Sequence, residues 1–211
     1  MLAIDEARTW YTADDPVHGF DHVLRVLGMA ERIGEQLAAD MQVLQAAALL
    51  HDAAGAHPGG ASGRGAHEQA SAEFARQVLE EKGWTGERIQ AVVHCIRSHR
   101  YRNQEEPQTL EAKILFDADK LDVLGAFGVA RTLGYALQAG QPMYARPSKQ
   151  FMETGEKEQD EPHSAYHEYI FKLRRVKARL FTAPAKEIAE HRHQLMCDFF
   201  DQMAVEAEGK D

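Results

Sequence analysis

The segment "DHVLRVLGMAERIGEQLAA" spaces Val23, Val26, Leu27, Ala30, Ile33 and Leu37 three to four residues apart. That is the period of an α-helix with one apolar face. The same rhythm returns along most of the chain, and no stretch carries the apolar–polar alternation of a half-buried strand. A helix with one apolar face must bury it against another element, and only helices are on offer here. The pattern predicts an all-α protein, a single globular helical bundle.

Punctuation residues divide the chain. "LAIDEARTWYTA" reads as a short first helix. Asp40 stands as an N-cap before "MQVLQAAALLHDAA". "GAHPGGASGRGA" is a glycine-rich loop. "HEQASAEFARQVLEEKG" is a helix ended by Gly83, and Thr85 or Gly86 opens "ERIQAVVHCIRSH". "LEAKILFDADKLDVLGAFGVARTLGYALQ" is one bent helix or two. Residues 139–162 combine proline, glycine and charge and read as a mobile surface loop. Helices over 163–208 close the chain.

Composition excludes some functions. The net charge of −9 argues against a nucleic-acid surface. The locally basic "FKLRRVKARL" reads as the solvated face of an amphipathic helix. No apolar run approaches the roughly 18 residues of a membrane span. The N-terminal residues lack a cationic, apolar leader, so a cytoplasmic location is expected. The two cysteines, Cys95 and Cys197, are expected as reduced thiols. An acidic protein that handles phosphate needs a local positive charge, and a metal ion can supply it. The 11 histidines suit that role.

The chemistry concentrates at helix ends. "AALLHDAAG" delivers His51 and Asp52 side by side after an apolar run. Helical neighbours diverge by about 100°, yet they can converge on a point between them, and both are good metal ligands. Alone, the pair also fits a plain helix C-terminus. "HGFDHVLRV" adds His18 and His22 beside Asp21, and "ILFDADKLDVLGA" sets Asp117, Asp119 and Asp122 among apolar residues. Carboxylates are seldom buried without a partner. A cluster of two imidazoles and two carboxylates from three helices is the simplest common solution.

The order His, then His-Asp, then Asp, on helices resembles the HD-domain superfamily of metal-dependent phosphohydrolases. The match runs through "HGFDHVLRVLGMAERI", "AALLHDAAG", "HEQASAEFARQVLEEKGW", "AKILFDADKLDVLGAFGVART" and "AKEIAEHRHQLMCDFFDQM", roughly Asp15 to Ala204. It is similar to a bacterial subgroup of predicted HD hydrolases that act on nucleotides. The resemblance implies one HD domain over 1–211, with its core at about 15–137. It implies a divalent ion (Mn, Fe, Co, Ni, Zn or Mg) held by His22, His51, Asp52 and Asp119, with Asp117 the rival of Asp119.

Around that site, Asp52 is the candidate to position or deprotonate the attacking water. Arg25 and Lys120 are candidates to contact a phosphate, and His67 and His99 to line the pocket. Asp21 and Asp117 are the expected orienting partners of the imidazoles, and Asp122 a structural acid. His163 and His167, four residues apart, could bind metal but lack a third ligand. The loop after His51-Asp52 departs from the family pattern: Ala53 is small, and Arg64 is the cation of a glycine-rich segment. The resemblance implies hydrolysis of a phosphorylated small molecule, a nucleotide by class, by a protein that can form a homodimer. The alternatives are a metal- or nucleotide-binding regulator without turnover, a cyclic-nucleotide phosphodiesterase, a guanosine-tetraphosphate hydrolase, and a helical interaction module.

Overall fold

The computed structural model describes residues 2–11, 19–54, 67–100 and 105–210, His67 by its backbone alone. The expectations for His18, Arg64, the glycine-rich loop and the His67 side chain lie outside the described residues. Among the described residues every regular element is helical. No helix among them is long and apolar enough to cross a membrane.

The helices are α1 (Ile4–Arg8), α2 (Phe20–Leu37), α3 (Met41–Leu50), α4 (His67–Glu81), α5 (Gly86–Ser98), α6 (Leu110–Asp122), α7 (Gly125–Gln138), α8 (Lys149–Thr154), α9 (Ala165–Glu168), α10 (Arg174–Val176) and α11 (Ala183–Ala207). A π-turn, Tyr169–Leu173, joins α9 to α10, and a 3-10 turn, Lys177–Arg179, follows α10. The chain divides into two compact units, Met1–Asp119 with Phe181–Ala185, and Lys120–Leu180 with Lys186–Asp211.

In the first unit α3 is the central helix. It packs against α1, α2, α4 and α5. Val43, Leu44 and the run Ala46 to Leu50 are all buried, so α3 has almost no solvent face. Its start is capped as the sequence predicts: the Asp40 carboxylate accepts from the Gln42 and Val43 amides at 3.0 and 3.2 Å. Arg88 of α5 also grips that carboxylate. The stripe of α2 buries Val23, Val26, Leu27, Ala30 and Ile33. Each fully buried aliphatic side chain contributes about 1.5–3 kcal/mol. This packing sets the rotation of α2 and α3, and so the direction in which His22 and His51 point.

The stretch from Leu110 to Gln138 is two helices. Two glycines make the break. Gly125 takes φ +69°, and a Cβ on Gly128 would lie 2.2 Å from the Val123 carbonyl oxygen.

The second unit is built on Tyr169 stacked against Phe200, 4.5 Å between ring centroids. The segment 139–162, expected as a mobile loop, contains α8 and is tied down by Glu161. The Glu161 carboxylate accepts from the amides of Ser148 and Glu158, at 2.8 and 2.7 Å, and from His167 Nε2–H at 2.9 Å. Ser164 Oγ–H donates to His167 Nδ1 at 2.7 Å. Both His167 nitrogens are committed, so the His163–His167 pair is not a metal site.

Enclosure alone would raise the Glu161 pKa; the bonds from His167 and Ser148 outweigh it and hold the pKa at about 2. A carboxylate depressed in the folded state stabilises the fold above its ordinary value of 4.5, and that contribution fades as the pH falls toward 2. Urea midpoints of wild type and Glu161→Gln are therefore expected to separate progressively from pH 2 to pH 4.5 and to keep a constant gap above it. A gap that ignores pH would refute this role of the charge.

Candidate metal centre

The site forms where helix ends of the first unit meet. His51 is the C-cap of α3, and His99 is the C-cap of α5. A helix C-terminus leaves carbonyls without intrahelical donors, and each imidazole turns back to one of them. His51 Nδ1–H donates to the Ala48 carbonyl at 2.8 Å, and His99 Nδ1–H donates to the Ile96 carbonyl. A carbonyl only accepts, so both rings carry their proton on Nδ1 and direct a bare Nε2 away from the helix.

His22, in the first turn of α2, faces the same point. Ring centroids are 5.5 Å apart for His22–His51 and 5.3 Å for His51–His99. Asp119 arrives from α6, its Oδ1 3.5 Å from His22 Nε2. Ligand atoms of His22, His51 and Asp119 all lie within 4.8 Å of one another. Asp52 stands beside this group, one carboxylate oxygen 3.6 Å from His51 Nε2 and the other 3.6 Å from His99 Nε2. These five residues are enclosed, each 9% exposed or less as a whole residue.

The donor set fits a metal ion. His51 Nε2 is enclosed and has no hydrogen-bond partner, an arrangement that costs stability unless something occupies the lone pair. Burial, reinforced by the imidazoles of His99 and His22 and opposed by Asp52, lowers the His51 pKa to about 4. Burial alone would raise the Asp52 pKa, but the imidazoles of His51, His99 and His22 prevail and hold it well below the usual range. At neutral pH these are a neutral imidazole and an ionised carboxylate, the protonation states that a metal requires. Mixed nitrogen and oxygen donors suit Mn, Fe, Co, Ni or Zn.

The rival aspartate is turned away. Asp117 accepts from the amides of Phe181 and Thr182 and from the Thr182 hydroxyl, at 2.9, 2.7 and 2.7 Å. It anchors the entry to α11. Asp21, expected to orient an imidazole, is instead exposed and paired with Arg25 at 2.6 Å. Backbone carbonyls do that work for His51 and His99. Asp122 pairs with Arg131, in keeping with a structural acid. Lys120 follows Asp119 on α6 and is 9% exposed. His94 serves the fold, with Glu105 on one nitrogen and the Gln108 amide on the other.

Two pairs went unremarked in the sequence. Glu68, buried at the start of α4, holds Arg100, the residue after His99, at 2.8 Å. The Ser71 hydroxyl, one turn along α4, accepts from the Ala54 amide at 3.2 Å and so braces the turn that follows His51-Asp52. A Glu three residues before a Ser on a helix is too common a pattern to signal either contact.

The HD domain family model matches residues 19–124, a span that contains the whole cluster. YpgQ of Bacillus subtilis is 30% identical over 215 residues, covering 98% of this chain and 95% of YpgQ. A crystal structure of YpgQ in complex with ADP superposes with a TM-score of 0.75 at 29% identity, covering 99% of this chain and all of YpgQ. An HD-superfamily hydrolase of Bacillus thuringiensis gives a TM-score of 0.68 at 28% identity over 97% of this chain and 96% of its own. A cluster of histidines and aspartates at helix ends, a matching family model across it and full-length relatives of the same fold agree: this chain belongs to the HD domain family.

Proposed function

We propose that this protein is a metal-dependent phosphohydrolase that cleaves phosphoester or phosphoanhydride bonds of nucleotides. One observation carries the reading: His51 Nε2 is buried without a partner and aimed at a point shared with His22 and Asp119. A cation at that point completes such a lone pair and offsets the cost of its burial. His22, His51, Asp52 and Asp119 are the ligands in this reading. When bound, the ion supplies Lewis acidity toward a phosphoryl oxygen and eases ionisation of a water.

The chain's own residues do the rest. The second oxygen of Asp52, which faces His99, takes the proton of the attacking water or aims its lone pair at phosphorus. His99, with Nδ1–H committed to Ile96, offers its Nε2 to that same hydrogen-bond network. Arg25, one turn beyond His22, contacts the phosphate by exchanging its surface partner Asp21 for the ligand. Lys120, beside Asp119 on α6, is the second candidate. Nucleotides are the substrate class because a relative of near-equal length, YpgQ, has been crystallised with ADP. The resident ion belongs to the group Mn, Fe, Co, Ni, Zn or Mg.

A panel of nucleoside mono-, di- and triphosphates, cyclic nucleotides and generic phosphoesters, run with each divalent metal, tests the reading. Turnover of a nucleoside phosphate by wild type and its loss in Asp52→Ala are expected. Metal uptake without turnover of any compound would favour the regulator, and absence of any metal uptake would remove the metal centre altogether.

A further inference from the structure

We propose that Tyr11 is a positioning residue of the candidate metal centre: its hydroxyl and ring together fix the turn that carries His51 and Asp52 against the start of α2. This rests on reading the His22–His51–Asp119 cluster as a metal centre. Tyr11 directly follows the short helix α1, and no motif marks it. Its hydroxyl donates to the Leu49 carbonyl at 2.9 Å. Leu49 lies in the last turn of α3, where carbonyls have no successor amide to accept from, and it stands two residues before His51.

The ring looks the other way. It packs against Phe20, with centroids 5.3 Å apart. Phe20 opens α2 and precedes His22 by two residues, and the Arg8 guanidinium covers it at 4.6 Å. One side chain therefore touches both elements whose ends supply the imidazoles of the cluster. Its polar end grips the turn of His51-Asp52, and its apolar end grips the base of His22. Groups that orient metal ligands without touching the metal typically alter affinity about ten- to a hundredfold when removed. Tyr11 meets that description through Leu49 and Phe20.

Tyr11→Phe keeps the ring on Phe20 and deletes only the hydroxyl. The expected result is about ten- to a hundredfold weaker Co2+ retention and an altered Co2+ visible absorption band, because the ligand geometry changes. Nitrogen NMR of the metal-free protein should find the His51 proton on Nδ1, held by the Ala48 carbonyl, and His51 ring signals displaced in the variant, whose turn is no longer anchored through Leu49. A folded variant with wild-type Co2+ affinity, spectrum and imidazole signals overturns the proposal, even if its melting temperature falls. Should Tyr11→Phe fail to fold, 3-fluorotyrosine at position 11 of otherwise wild-type protein decides: its fluorine signal shifts on Zn2+ saturation, or the proposal fails. Wild-type protein that takes up no divalent ion overturns the metal-centre reading and this proposal with it. Uptake with no response at Tyr11 overturns this proposal alone.

Discussion

His51→Ala is expected to lose its divalent ion on dialysis and to lower nucleotide hydrolysis by on the order of a thousandfold, the scale seen when one preorganised catalytic group is removed. The reason is geometric. The His51 ring sits between those of His22 and His99, and its Nε2 is buried without a hydrogen-bond partner. Without it, two of the three mutually close ligands remain, and the buried Asp52 loses one of the two imidazoles that stand 3.6 Å from its carboxylate. The thermal signature should follow. An ion at a hundred times its dissociation constant stabilises a folded protein by about 2.7 kcal/mol, so wild type should melt several degrees higher with the ion than without it. The variant should melt at one temperature in either case. Its metal-free stability should change little, because the cavity left by the ring is offset by removal of an unsatisfied buried nitrogen. Ion content by mass spectrometry and melting curves with and without the ion check both parts. Full ion retention by the variant would remove His51 from the ligand set.

Asp117→Ala should do the reverse: damage the fold and spare the ion. The Asp117 carboxylate is fully buried and accepts three hydrogen bonds from Phe181 and Thr182. Alanine leaves two backbone amides without their acceptor, at about 1–3 kcal/mol each, and removes a charged acceptor from the start of α11. A total loss of about 3–5 kcal/mol follows, a large share of the roughly 5–15 kcal/mol that holds a domain together. For a chain of this size that is a fall of about 10 °C in melting temperature. The folded fraction should keep its ion, whereas Asp119→Ala should melt near the metal-free wild type and lose it. If Asp117→Ala instead lost the ion at full stability, the roles of the two aspartates would be exchanged.

Those two aspartates show how far sequence reasoning reaches. Both stand in the same apolar stretch, and both need a partner there. Two residues apart on a helix, they point about 200° from one another, so only one can face the cluster. Which one depends on how α6 is rotated by its neighbours, and no local pattern holds that information. The resemblance favoured Asp119, and the geometry brings Asp119 to His22. Asp21 illustrates the opposite case. Its place in the first turn of α2 suggested an orienting role, but a short acid on the solvent side of a helix meets Arg25 four residues on.

His99 was legible only as one candidate to line the pocket, and Tyr11 not at all, for a similar reason. A histidine at the end of an amphipathic helix is ordinary, and so is a tyrosine after a short one. What distinguishes them is contact with Asp52 and Leu49, residues far away in the chain. Segment 139–162 reads as a mobile surface loop because its composition lacks an apolar face; in the structure one carboxylate within it collects three donors. The break before Gly125 was legible as an option, since glycine permits it, but only the approach of Gly128 to the Val123 carbonyl requires it.

The sequence by itself determined the helical character, the capped start of α3 at Asp40, and the placing of His22, His51 and Asp52 at helix ends, because these follow from periodicity and from hydrogen bonds between near neighbours. Tertiary structure decided which aspartate completes the cluster, that His99 joins it, and that His51 Nε2 is left buried without a partner. Those outcomes depend on the rotation of whole helices, which is set by the sum of their apolar contacts and written in no single motif.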